Sequence, residues 1–223
     1  MKIIAPSVKI ETPIEHIKSY MTLLESFGRT CHKSESEIKE GSADKFVEKY
    51  LIKMGHESVL EHCSISARFI CDRSASHQLV RHRIGSFSQE SQRFCDYSKD
   101  GIQVICPPSI EQNEELLKEW TESVEILETR YRKLLESGIP PEDARSVLPN
   151  CTKTEVIATF NLRMWRHIFE QRALNPRAQW QIRNLMTDLL KQMNALLPLL
   201  FQDLQAKILY KLVFSESNNL PED

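Results

Sequence analysis

Residues 152–172 read TKTEVIATFNLRMWRHIFEQR, and the fold class turns on this stretch. Val156, Ile157 and Thr159 are β-branched, so Thr152–Asn161 is expected to be a strand. The period then changes, and Leu162–Arg172 is expected to be a helix opened at Asn161. The same passage from strand to helix is expected upstream. Ile65, Ala67, Phe69 and Cys71 recur at every second position over Ser64–Cys71, before a short helix over Ser74–Arg83 and an irregular Ser/Gln-rich segment.

Working outward, Lys2–Glu11 reads as a strand and Pro13–Ser26 as a helix capped by Thr12. Ser42–Met54 reads as a helix stopped by Gly55, and Ile102–Cys106 as a strand stopped by Pro107 and Pro108. Over Ile110–Ser137, Leu117, Trp120, Val124, Leu127, Tyr131 and Leu134 form an apolar stripe on a long helix with an acidic outer face. A short turn of helix at Pro140–Val147, bounded by Pro140-Pro141 and Pro149, and helices over Arg177–Leu196 and from Pro198 complete the chain. Strands and helices mix without βαβ alternation. The expected class is α+β: a central, mostly antiparallel sheet with packed helices, one domain over 1–215 and a polar tail at 216–223.

The 223 residues carry 29 Lys+Arg against 31 Asp+Glu, a net charge of -2, which argues against a surface built for a nucleic acid polymer. A hydrophobic fraction of 41% is globular. The longest apolar run, Ala195–Phe201, is broken by Pro198, so no membrane span and a cytoplasmic chain are expected. Six cysteines without a C-x-x-C pair read as free thiols.

The near-neutral total hides local imbalance. Residues 111–143 hold ten acidic and four basic residues, whereas 151–186 hold six basic and two acidic, and 64–94 five Arg against Asp72 and Glu90. Arg without Lys favours planar, bidentate recognition of phosphate or carboxylate, although an average Arg belongs to a solvated, ion-paired face.

Three clusters follow. On the expected helix, Gln78, Arg81 and His82 stand at i, i+3 and i+4, and a Ser-rich loop leads on to Arg93, a pattern suited to an anion. Arg163 and His167 are i,i+4 neighbours with Arg172 beyond them, and Arg145 sits in the Pro-bounded turn. His56 and His62 are six apart, the wrong spacing for a helical metal pair, so no metal is expected. Cys31-His32 adjacency does not make an activated nucleophile, and no glycine-rich nucleotide fingerprint is present.

Arg81-His82-Arg83, seven residues, Ser91 and then Arg93 resemble the signature of the flavin-dependent thymidylate synthases. Gly55–Ser58, Gln78, Ala144-Arg145 with Leu148-Pro149, Asn161–Arg163, Arg172 and Ala178–Trp180 are similar to other family landmarks, in the same order. The resemblance implies reductive methylation of dUMP at C5 to dTMP, with the carbon from methylenetetrahydrofolate, reducing equivalents from NADPH through FAD, and no cysteine nucleophile. It assigns Gln78, Arg81, Gln89, Glu90, Ser91, Gln92, Arg93 and Arg145 to dUMP, with Ser91, Arg93 and Arg145 around the phosphate. It assigns Ser58, Arg81, His82, Arg83, Gln89, Asn161, Leu162, Arg163 and His167 to FAD, and His56 to flavin or folate. Arg172 is the implied catalytic group, contacting the uracil and favouring its N3-ionised form. A homotetramer with shared active sites is also implied. Gln89 stands where Glu is frequent and Phe94 where Tyr is, and one extra residue lies between Arg172 and Ala178.

Overall fold

The computed structural model describes residues 1–97 and 99–217, with side chains through Tyr210. The expected tail lies outside the described residues from 218 onward. Short strands β1 (Lys2–Ile3) and β2 (Ser7–Ile10) replace the single expected strand. Pro6 falls between them and has no N–H for a ladder. Helices α1 (Ile14–Lys18) and α2 (Tyr20–Thr30) divide at Ser19, whose hydroxyl donates to the His16 carbonyl at 2.7 Å. α3 (Ser42–Phe46) runs on as a π-helical segment, Val47–Lys53, and Gly55 follows at φ +72° as the expected stop.

A 3-10 segment, Glu57–His62, leads into the nine-residue strand β3 (Ser64–Asp72) and then α4 (Arg73–Leu79). The Ser/Gln-rich segment is ordered as strand β4 (Ser86–Gln89), not irregular. There follow β5 (Gln103–Val104), α5 (Pro108–Glu111), α6 (Glu114–Glu136) and α7 (Pro141–Ala144). The long helix starts at Glu114 because the Asn113 side chain accepts from the Leu116 N–H at 3.1 Å and ends the run before it. Strand β6 (Lys153–Asn161) and helices α8 (Leu162–Arg172), α9 (Trp180–Leu196) and α10 (Pro198–Ser217) complete the chain. α9 begins three residues later than expected because Gln179 caps it, accepting from Gln181 and Ile182 N–H groups.

β1 and β5 pair in parallel, Lys2 opposite Gln103 and Ile3 opposite Val104. The main sheet is antiparallel in the order β2-β3-β6-β4. The two long strands end alike. Asp72 closes β3 and accepts from the Ala75 N–H at 2.7 Å, and Asn161 closes β6 and accepts from the Met164 N–H at 2.8 Å. Each strand thus hands its chain to a helix through an Asx cap, and each cap fixes where the helix that follows presents its side chains.

Contacts group the residues into two interleaved units, with the chain passing repeatedly from one to the other. One comprises Met1–Ser7, Phe69–Arg81 and Phe87–Ile157; the other comprises Val8–Arg68, His82–Ser86 and Ala158–Asp223. In the first, Ile102, Val104 and Val124 form a core with Trp120, Tyr97 and Leu148 against it. The α6 stripe is only half-buried apart from Val124 and Tyr131, and its acidic face has one buried member, Glu128, paired with the Met1 amine at 2.6 Å. In the second unit, Phe160, Trp165, Phe169 and Phe201 stack or meet edge to face, with centroids 4.9–5.8 Å apart. The Trp165 indole donates to the Ile65 carbonyl at 2.9 Å, satisfying the buried N–H.

Candidate active site

The first unit holds most of the residues the family pattern assigns to dUMP. α4 ends at Leu79, and Val80 and Arg81 form a turn, so Gln78, Arg81 and His82 do not share a helix face as their spacing led one to expect. The reason is local: the Val80 N–H bonds back to the Ser76 carbonyl as the last helical contact. Gln78 is half-buried and Arg81 exposed. The Gln89 amide donates to the Ser76 and Thr154 hydroxyls at 3.1 and 3.2 Å. Glu90 is held as firmly, accepting from Tyr97 Oη at 2.8 Å, Lys153 Nζ at 2.9 Å and the Glu155 N–H at 3.1 Å.

Beyond Glu90 the chain turns, with Ser91 Oγ accepting from the Arg93 N–H at 3.2 Å. Two guanidinium groups then meet at one residue. Arg93 Nε lies 2.6 Å from the Glu142 carboxylate, and Arg145 Nε donates to the Glu142 carbonyl at 2.9 Å. Gln92, immediately before Arg93, is buried, and its Nε2 has no hydrogen-bond partner. A buried amide donor left unmatched costs free energy, and an incoming acceptor would recover it.

The second unit holds most of the residues assigned to FAD. A cleft of about 460 Å³ is lined by Asn161, Arg163, Arg166, His167 and Ile84, among others. Asn161 spends its carbonyl oxygen on the α8 cap, which leaves its amide N–H groups as donors. Arg163 lies 2.6 Å from Glu61, Arg166 forms a two-pronged pair with Asp203 at 2.7 and 2.9 Å, and the buried Arg166 Nε has no hydrogen-bond partner. Ile84 is 71% exposed at the cleft. Arg83 is exposed beside it in sequence, and Leu162 is sealed in the core with its N–H on the Cys63 carbonyl at 2.9 Å. His56 and Ser58 line a separate cleft of about 560 Å³.

His82 is 8% exposed, and its Nε2 accepts from Arg172 Nε at 3.1 Å. Burial, then the charges of Arg172 and His167, push the imidazole from 6.5 down to about 4. It is therefore a neutral acceptor throughout the neutral range. The His167 ring stands edge-on to it at 6.4 Å.

The family model described as thymidylate synthase complementing protein matches residues 14–199. The chain belongs to this family. Two relatives are flavin-dependent thymidylate synthases: that of Geobacter sulfurreducens is 39% identical over 78% of each chain. That of Pyrococcus furiosus is 35% identical over 81% of this chain and 74% of its own. The fold is shared with the UMP/dUMP methylase PolB from Streptomyces cacaoi bound with 5-Br dUMP (TM-score 0.75, 20% identity, 92% of this chain and 97% of that one). It is shared as well with thymidylate synthase X from Helicobacter pylori with FAD and dUMP (TM-score 0.68, 22% identity, 90% and 99%).

Three residues of this family member escaped the sequence reading. Lys153 and Glu155 stand two apart on β6, both held against Glu90 (Lys153 Nζ to its carboxylate, and the Glu155 N–H to the same group). Charged residues at i and i+2 of a strand were the available signal. Glu142 has no such signal, because its pairing with Arg93 spans 49 residues.

Proposed function

We propose that this chain is a flavin-dependent thymidylate synthase. dUMP, methylenetetrahydrofolate, NADPH and a proton give dTMP, tetrahydrofolate and NADP⁺: uracil C5 loses its proton and gains the methylene carbon, and a hydride completes the methyl group. The match over residues 14–199 carries this reading. The Arg93–Glu142–Arg145 group supports a phosphate site, since two guanidinium groups meet at one residue, Arg93 on its carboxylate and Arg145 on its backbone carbonyl, with the Gln92 donor unmatched close by in sequence.

The cleft of the second unit offers FAD donors in Arg163, Arg166, His167 and Asn161, beside the carboxylates of Glu57, Glu61 and Glu170. Arg163, His167 and the Asn161 amide would hold the polar part, the buried Arg166 Nε supplies a further donor, and exposed Ile84 offers an apolar surface. Bound there, the flavin supplies hydride. Arg172, held at Nε by His82, favours the N3-ionised uracil, because an adjacent cation lowers the imide pKa and sends electron density to C5.

That activation stands in for a thiol. Burial pushes Cys63 and Cys151 up to about 11 and Cys71 to about 12, so each stays protonated and poorly nucleophilic. The reading extends to a cytoplasmic enzyme, supported by six free thiols. It extends also to a homotetramer with shared active sites, supported by the exposed Ile84 and Phe94 in the signature segment.

An absorption spectrum and a reoxidation experiment test the reading. The purified protein takes up FAD, and its reduced flavin is reoxidised by methylenetetrahydrofolate only when dUMP is present, with dTMP as product. A chain that binds no FAD, or makes no dTMP, is something else.

A further inference from the structure

In the second unit, the end of α2 and the α3 segment line a third basin. It measures about 500 Å³ and is lined by Lys39, Lys45, Lys49, Phe46 and Tyr50, among others. It shares Arg29, Glu37, Phe46 and Tyr50 with the His56/Ser58 cleft, so the two are neighbours across one wall. Its charge is lopsided. Arg29 is committed to Glu25 and Glu37 at 2.8 and 2.7 Å. Among the described residues, none of the three lysines is ion-paired with a carboxylate, and Glu40 is the one carboxylate of the lining outside any ion pair. Lys49 instead lies 4.7 Å from the centroid of the Tyr50 ring and donates to its hydroxyl at 3.2 Å.

Three separate ammonium groups lining one basin suit a chain of carboxylates better than a single phosphate. A phosphate is best gripped by forked guanidinium groups converging on one point, whereas lysines are separate, mobile point charges. We infer that the Lys39–Lys45–Lys49 basin binds the glutamyl tail of the folate co-substrate, whose carboxylates multiply with each added γ-linked glutamate. The inference rests on the reading of the chain as a folate-using synthase. His56, assigned by the family resemblance to flavin or folate, lines the adjoining cleft and gives the pterin end a place to start.

The test compares tetrahydropteroyl-monoglutamate with tetrahydropteroyl-pentaglutamate on the FAD-loaded enzyme by titration calorimetry. The corresponding methylene derivatives are compared in dTMP formation. The expected result is tighter binding and lower KM for the pentaglutamate by about tenfold, the scale of a few exposed ion pairs acting together, and a preference that shrinks with salt. The triple variant Lys39→Gln/Lys45→Gln/Lys49→Gln binds both forms equally, with kcat and the monoglutamate KM unchanged. Equal affinities in the native enzyme, or a preference that survives the triple variant, overturn the inference while dTMP formation upholds the synthase reading. A triple variant that loses its preference for NADPH over NADH but keeps the tail preference overturns it in favour of a nucleotide phosphate. Absence of dTMP formation with either folate removes the synthase reading and the inference together.

Discussion

Arg172 donates its Nε–H to the buried Nε2 of His82 at 3.1 Å, so the one guanidinium assigned to uracil is held by a neutral ring. A protonated imidazole has no lone pair to accept with, and two cations would then face each other.

The pH dependence of stability follows from that pair. His82 titrates near 4 in the folded chain against 6.5 unfolded, so the unfolded chain binds the extra proton. Stability from this group is complete above 6.5 and is lost as pH falls from there toward 4, by about 2 kcal/mol between pH 7 and 5. Urea unfolding at the two pH values measures it. His82→Gln, which keeps an acceptor but does not titrate, flattens the difference; an unchanged slope would show that other groups carry it. Arg172→Ala keeps FAD bound and lowers kcat by about a hundredfold or more, as loss of a charge-stabilising donor does. Near-native turnover would take Arg172 out of the reaction.

Glu142 competes with the substrate phosphate in the proposed site. Its carboxylate lies 2.6 Å from Arg93 in an exposed pair, and dUMP must displace it. Arg93→Ala and Arg145→Ala should each weaken dUMP binding by roughly 1.5–3 kcal/mol, the worth of a charged hydrogen bond. Glu142→Gln should tighten binding severalfold at low salt, because the guanidinium no longer has to leave a carboxylate. Fluorescence titration reads all three, and the phosphate assignment falls if dUMP affinity is the same in every variant.

How far the sequence carries can be seen at the two long strands. Alternation at Ile65–Cys71 made β3 legible, the β-branched Val156, Ile157 and Thr159 made β6 so, and Asn161 marked the helix that follows β6. What was missed depends on partners remote in sequence. β4 has only four residues and needs β6 beside it to exist as a strand. The α4 helix stops short of Arg81 because the signature loop leaves it, which no i,i+4 count reveals. Glu90 looked like a ligand by its place in the signature, and only the fold shows three donors from Tyr97, Lys153 and Glu155 already upon it.

That clamp makes Lys153 a positioning residue of the loop proposed to hold dUMP. Burial disfavours its charge, but Glu155 and Glu90 at 2.7 and 2.9 Å hold its pKa above the ordinary lysine value. Lys153→Met leaves two half-buried carboxylates facing each other and should cost about 3 kcal/mol. It should also raise KM for dUMP more than it lowers kcat, since the loop moves while the chemistry stays. Adding Glu90→Gln to Lys153→Met relieves the repulsion and restores part of the melting temperature. A double variant no more stable than the single one would show that the clamp is not electrostatic.

Gly85, in the loop between α4 and β4, brings its backbone close against the core of the second unit. A Cβ there would sit 2.2 Å from two Phe160 ring carbons and 2.9 Å from the Thr159 carbonyl oxygen. Phe160 cannot swing aside freely, because its ring meets Trp165 edge to face at 4.9 Å and is itself buried. Gly85→Ala should therefore cost about 1–3 kcal/mol by overpacking and displace His82, three residues before it, from Arg172. Thermal melting reads the first effect, and kcat the second. Phe160→Leu in the Gly85→Ala background opens room at the ring and should recover kcat. Recovery of stability without recovery of kcat would mean that the loop's course, and not the ring contact, sets the His82–Arg172 pair.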